Sequence, residues 1–300
     1  MKNLILGSVL AMTLLTASLI SSKAMAYSGF GHVLICEIAF RAIQENTRKT
    51  LNELVATHGE YTTFNEACKF ADRFPRKHPS SHYANYSRDT DNIISNKCTM
   101  ADECIFTGIE RELSILKNQS KSDAERGEAA ILLGHWIGDL HQPLHLSFKD
   151  DRGGNLVDKS GTCSAGNLHA VWDKCIVERE IAPTFGLKEG LGFSETGRIN
   201  RAVNRLEKSI SITDRQEWIL GEWFEWANES FQITRHEKVG YCVIKNGACW
   251  YDQNNLYLDD TAEFKNIEMT PDYLKLWAPV VEMRLKKAGI RLAFILDQAL

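Results

Sequence analysis

The chain has 300 residues, with 35 lysines and arginines against 39 aspartates and glutamates, 44% hydrophobic side chains and eight cysteines. That length buries a substantial core, and nothing in the composition forces more than one domain. A formal net charge of −4 excludes nucleic-acid binding through a broad basic surface, although bound divalent cations can supply the local positive charge that phosphate needs.

Residues 1–26 stand apart. Lys2 gives a short basic start, Leu4 to Ile20 is apolar with small residues, and Ala24-Met25-Ala26 is a small-x-small cleavage pattern. This reads as a secretory signal peptide, too short in its apolar part for a membrane span. It leaves a domain over residues 27–300 that starts at Tyr27, with 33 basic and 39 acidic side chains and a net charge of −6 once Lys2 and Lys23 are removed. Cys36, Cys68, Cys98, Cys104, Cys163, Cys175, Cys242 and Cys249 all follow the cut, and an even number in an exported chain points to disulfides. Cys98 with Cys104 and Cys242 with Cys249 are close enough to staple local loops. The pairing of the other four stays open, and no C-x-x-C spacing assigns sulfur to metal.

In chain order, Val33 to Ile43 has helical spacing of apolar residues, which puts His32 at a helix start, a few residues from the amine that cleavage would create at Tyr27. Such an amine, with a reference pKa of about 7.7 to 8.0, gives up its proton to a metal readily. Thr47 to Thr57 is an amphipathic helix, with His58 beyond it facing solvent. Asp72 falls near a helix end and His82 just past a Pro/Ser-rich loop, so both can turn inward. Asn92 to Met100 reads as a loop, and Cys104 to Lys117 and Ala124 to Leu140 as helices.

The second of these carries the densest cluster. His135 and Asp139 lie at i and i+4 on one helical face, where they can hold one cation. Pro143 cannot continue the helix, so the chain turns near Gln142 and His145 approaches from another direction. Asp150 to Asn155 reads as a turn whose Gly153 and Gly154 permit positive φ. His169 and Asp173 repeat the four-residue spacing on a helix, so the two pairs and His145 supply ligands for at least two metals. Imidazole and carboxylate are donors that zinc accepts. Helical patterns continue over Ile199 to Ile212 and Gln216 to Ile233. After the loop between Cys242 and Cys249, a buried packing helix runs from Thr270 to the C-terminus.

The ordered set of His32, Ala71-Asp72, His82-Tyr83, H-W-I-G-D-L-H-Q-P-L-H at 135–145, G-G-N at 153–155, N-L-H-A-V-W-D at 167–173 and A-G-I-R-L-A at 288–293 resembles the secreted trinuclear-zinc nuclease/3′-nucleotidase family. This is the family of the fungal single-strand-specific and plant bifunctional nucleases, within the phospholipase C/nuclease superfamily. The resemblance covers essentially all of residues 27–300. It implies a mainly α, single-domain multi-helix fold with a trinuclear zinc cleft. One zinc would be held by Asp72, His82, His135 and Asp139, a second by His145, His169 and Asp173, and a third by His32, Asp139 and the backbone amine and carbonyl of Tyr27. His58, His78, His141 and His236 are left out, with His141 packing or hydrogen-bonding behind the ligands.

The resemblance further implies hydrolysis of single-stranded DNA and RNA to 5′-phosphate products, with 3′-nucleotidase activity, Asp72 orienting the attacking water and Tyr83 stacking on a base. No stable protein partner or membrane anchor is implied, and the location would be secreted or periplasmic. The chain departs from the family pattern at Tyr27-Ser28, where the family has Trp-Gly; at Pro75, where a basic residue is expected; and at Lys174, a position that often contacts a base. Arg76 takes over the transition-state role in this reading, in preference to Arg73. The competing readings are a zinc-dependent phospholipase C, disfavoured by the short gap before His32 and by Asp173 closing the last ligand pair, and an inactive secreted zinc-binding or interaction protein.

Overall fold

The computed structural model describes residues 29–183 and 195–300. The proposed signal peptide over residues 1–26 and Tyr27 lie outside them. In chain order the elements are α1 (Gly29–Ala42), α2 (Glu45–Ala56), α3 (Phe64–Ala67), β1 (Ala84–Tyr86), α4 (Ile105–Lys117), α5 (Asp123–Leu140), β2 (Leu146–Phe148), β3 (Asp158–Gly161) and α6 (Leu168–Ala170). They continue with α7 (Glu195–Lys208), α8 (Ile212–Trp218), α9 (Trp223–Thr234), β4 (Val243–Lys245), β5 (Ala248–Trp250), β6 (Asn266–Met269) and α10 (Pro271–Ala299). The mainly α class expected from the sequence is the class observed.

α5 forms the axis. It starts on a capping box, in which the Ser122 hydroxyl accepts from Glu125 N at 3.3 Å and Glu125 Oε2 accepts from Ser122 N at 3.0 Å. From Ala129 to Leu140 it is buried on every face, with α1, α2, α4 and α10 packed around it. A helix enclosed in this way can hold polar side chains only where they find partners, and His135 and Asp139 lie in this stretch. Glycine decides how close the neighbours come. A Cβ at Gly134 would stand 2.7 Å from Cys68 Sγ, and one at Gly138 would stand 2.7 Å from His32 Nδ1.

Four disulfides join Cys36 to Cys68, Cys98 to Cys104, Cys163 to Cys175 and Cys242 to Cys249. The two local staples expected from spacing are present. Cys36–Cys68 ties α1 to the chain just before Asp72. The sheets are small, and one of them serves the site. β1 pairs in parallel with β2, Ala84 opposite Leu146 and Tyr86 opposite Phe148, which sets His82 beside His145 just before the two strands begin.

Three expectations change. The helical stretch over 199–212 breaks after Lys208 and restarts at Ile212 on a Ser211–Asp214 capping box. The stretch over 216–233 breaks between Trp218 and Trp223, where Gly221 takes φ 89°. The segment between Cys242 and Cys249 is a β4–β5 hairpin turned by Asn246-Gly247 at φ 50° and 82°, the left-handed pair that a two-residue hairpin requires.

Behind the axis, Glu229 of α9 gathers the α10 cations. It accepts from both Arg291 Nη atoms at 2.8 Å, from Lys287 Nζ at 3.0 Å and from Arg284. Burial alone would raise the Glu229 carboxyl, but Arg291, Arg284 and Lys287 hold it well below the usual range. A depressed carboxyl stabilises the fold fully above its ordinary value of 4.5 and loses that contribution as pH falls toward its folded value. Glu229→Gln is therefore expected to cost roughly 3 kcal/mol at neutral pH, the lower end for breaking a buried ion pair because the side chain keeps 33% exposure. Urea unfolding should show the gap to wild type narrowing below pH 4.5.

Candidate metal centre

Six stretches of chain converge beside α5. α1 brings His32, the 3₁₀ turn Phe70–Asp72 brings Asp72, and the turn Pro79–His82 brings His82. α5 supplies His135 and Asp139, and the turn Pro143–His145 supplies His145. His169 comes from α6, and Asp173 from the wider π turn that continues it. The expected helix over 169–173 is thus part α and part π; the four-residue spacing still turns both side chains the same way, with His169 Nε2 3.4 Å from Asp173 Oδ2.

Asp139 is the hub. Its Oδ1 lies 3.2 Å from His32 Nε2, and its Oδ2 lies 3.0 Å from His82 Nδ1 and 3.4 Å from His135 Nε2. Asp72 Oδ1 is 3.7 Å from both His82 Nδ1 and His135 Nε2. Three sets of donor atoms lie within 4.8 Å of one another: His32, Asp72 and His135; His82, His135 and Asp139; and His145, His169 and Asp173. His32 and His135 stack with ring centroids 3.7 Å apart.

The histidines are aimed by their outer nitrogens. Nδ1 of His135 donates to Cys68 O at 2.6 Å, Nδ1 of His145 to His82 O at 2.6 Å, and Nδ1 of His169 to Gly153 O at 2.7 Å. A carbonyl only accepts, so each ring carries a proton on Nδ1 and turns Nε2 inward. His82 is reversed: Nε2 donates to Lys77 O at 3.0 Å, and Nδ1 faces the centre. These backbone partners leave no side-chain signal in the sequence. The Gly153 carbonyl is itself held in place, because Asp151 accepts from Gly154 N at 3.0 Å and from buried Arg88 at 2.6 Å.

A cation fits this arrangement. Asp72 Oδ2, His135 Nε2, Asp139 Oδ1, His145 Nε2 and Asp173 Oδ2 are buried with no hydrogen-bond partner among the described residues. Each such atom costs about 1–3 kcal/mol unless something binds it. Burial would raise Asp139, yet His135 and His145 hold it well below the usual carboxylate range; burial would raise Asp72 too, but His135, His32 and Arg76 together lower it. Burial pushes His82 down to about 4 despite Asp139. His135 and His145 go the other way: burial would lower both, but Asp139 and Asp72 raise His135, and Asp139 and Asp173 raise His145 to about 9, so a metal there displaces a proton. Ionised carboxylates facing imidazole lone pairs are the donor set that zinc takes.

Of the other expected site residues, Arg76 reaches the cluster. Its Nη2 lies 2.9 Å from both Asp72 Oδ1 and His82 Nδ1. Arg73 turns away to Glu60 at 2.6 Å and over the Tyr61 ring. Tyr83, 38% exposed, borders a cavity of about 90 Å³ beside the Cys98–Cys104 loop. His141 is fully buried and donates from Nδ1 to Ile137 O at 2.8 Å, while Nε2 accepts from Arg291 at 2.9 Å, so it stands outside the donor sets as expected. His58 departs from its solvent-facing expectation: it is half-buried, edge-on to Phe70 at 4.5 Å.

A family model described as S1/P1 Nuclease matches residues 27–300. Endonuclease 2 of Arabidopsis thaliana is 27% identical over 283 residues, which cover 89% of this chain and 88% of the relative. Nuclease S1 of Aspergillus oryzae is 26% identical over 225 residues, covering 73% and 67%. Nuclease P1 of Penicillium citrinum is 24% identical over 201 residues, covering 63% and 64%. With its mainly α fold, its clustered histidines and aspartates and a family match from residue 27 to the C-terminus, the chain belongs to the S1/P1 nuclease family.

Proposed function

We propose that this chain is an exported zinc-dependent phosphodiesterase that cuts single-stranded DNA and RNA to 5′-phosphate products and removes the 3′-phosphate from nucleotides. The observation that carries the reading is the convergence of five histidines and three aspartates in one cluster, with inner atoms of Asp72, His135, Asp139, His145 and Asp173 buried and without a hydrogen-bond partner among the described residues. Asp72, His82, His135 and Asp139 would hold one zinc, and His145, His169 and Asp173 a second. His32 and Asp139 would hold a third with the Tyr27 backbone, which lies outside the described residues. Bound zinc supplies charge stabilisation for phosphoryl oxygens and makes water nucleophilic near neutral pH.

The chain's own residues complete the chemistry. Asp72 has one oxygen paired with Arg76 and the other free to orient the attacking water and take its proton. Arg76 donates to a phosphoryl oxygen as negative charge builds there. Tyr83 offers a ring face to a base, a contact worth about 1–3 kcal/mol whatever the base and open only to unpaired ones. The cavity beside it is too small to enclose a ligand, so a base would lie on the ring. Export agrees with the four disulfides, and among the described residues no helix is long and apolar enough to cross a membrane.

The test is hydrolysis of single-stranded DNA, RNA, 3′-AMP and phosphatidylcholine by the chain starting at Tyr27, before and after chelation and on return of zinc. Cleavage of the first three, with 5′-phosphate ends on the nucleic-acid products, should vanish with chelator and return with zinc. Hydrolysis of the lipid alone would replace the reading by a phospholipase, and zinc uptake with no hydrolysis would replace it by a binding protein.

A further inference from the structure

The donor set of His145, His169 and Asp173 leans on a side chain outside it. Gln142, fully buried just past the end of α5, has both ends of its amide engaged. The Leu144 backbone N–H only donates, so Oε1 accepts there; the Asp173 carboxylate only accepts, so Nε2 donates to its Oδ1. Flipping the amide would break both bonds, so its orientation is fixed by its partners. One Asp173 oxygen is thereby taken. The other, Oδ2, has no hydrogen-bond partner among the described residues and faces His169 Nε2 at 3.4 Å. The same amide caps the turn that presents His145, whose Nε2 lies 3.6 Å from Asp173 Oδ1.

We propose that Gln142 is a positioning residue for this donor set: one amide fixes which Asp173 oxygen is offered to the metal and ties that carboxylate to the turn carrying His145. The proposal rests on the metal-binding reading given above. Glutamine alone among side chains of this length meets both demands. Glutamate keeps the acceptor for Leu144 but sets a second carboxylate against Asp173, and methionine keeps the shape and loses both bonds.

The experiment titrates zinc, against a competing chelator, into chelated wild type, Gln142→Glu and Gln142→Met, with circular dichroism of each chelated protein. A role limited to capping the turn predicts wild-type zinc binding in Gln142→Glu. The proposal predicts that one zinc equivalent binds about 10- to 100-fold more weakly in both variants, the range for partners that orient a ligand, while the remaining equivalents bind as in wild type. Hydrolysis should fall at low zinc and recover as zinc saturates. Wild-type affinities in Gln142→Glu, uniform weakening of every equivalent, or loss of the fold in chelated Gln142→Glu would each overturn it. Wild type that takes up zinc yet cuts no nucleic acid removes the nuclease reading and leaves the role of Gln142 standing.

Discussion

Asp139→Asn is expected to lower hydrolysis of single-stranded DNA by more than about 100-fold, beyond the roughly 10- to 100-fold seen for residues that only orient a ligand. The two oxygens of Asp139 face different histidines, Oδ1 toward His32 and Oδ2 toward His82 and His135. Asparagine keeps the shape, but it gives up one charge and turns one acceptor into an N–H₂ donor. Whichever way the amide sits, one group of histidines then meets a donor where a cation should bind. Metal analysis of the purified variant should find at least one zinc fewer than in wild type, with the helical circular dichroism unchanged because Ser122 and the apolar faces hold α5 independently. Asp173→Asn is the comparison: it should affect only the group with His145 and His169. A full zinc complement in Asp139→Asn would show that the hub carboxylate bridges nothing.

That hub was legible in the sequence because its geometry is local. An H-x-x-x-D spacing inside an apolar helix sets two candidate donors on one face, and a proline after it sets the turn that brings in a third. α1, α4, α5 and α10 were legible for a similar reason: their apolar periodicity is long, and Thr270 marks the start of the last. What escaped is what backbone and distance decide. The carbonyls of Cys68, Lys77, His82 and Gly153 aim four imidazoles, and a carbonyl has no residue-type signature. Cys36 and Cys68 meet across 32 residues, because α5 has a glycine at 134 where their sulfurs lie. Gly138 sits where His32 stacks, a signal that a glycine inside a helical pattern gives but that does not name its neighbour. The breaks around α8 came from short-range capping that a smooth apolar pattern hides, whereas Asn246-Gly247 was a readable hairpin signal that the loop reading passed over.

Arg76→Ala is expected to lower kcat/KM by about 100- to 1,000-fold, the range for removing one donor aimed at transition-state charge, while Arg73→Ala stays within about 2-fold because surface ion pairs are worth little. The sequence offers both arginines near Pro75, where a basic residue is expected, and its reading prefers Arg76. Geometry separates them. Arg76 touches Asp72 and His82 with its side chain 29% exposed, so its guanidinium stands between the donor cluster and solvent, where a phosphodiester must arrive. Arg73 is more than half exposed and spends its charge on Glu60. Arg76 also neutralises Asp72, so its removal acts on two steps: a phosphoryl oxygen loses a donor, and Asp72 loses a partner that fixes which oxygen faces the water. Arg76→Lys separates these effects. Its point charge can still offset Asp72 but cannot reproduce the planar fork, so it should keep zinc binding and recover only part of the rate. Kinetics on a dinucleotide, with zinc content measured on the same samples, give the comparison. Equal losses from Arg73→Ala and Arg76→Ala would mean that neither guanidinium meets the phosphate.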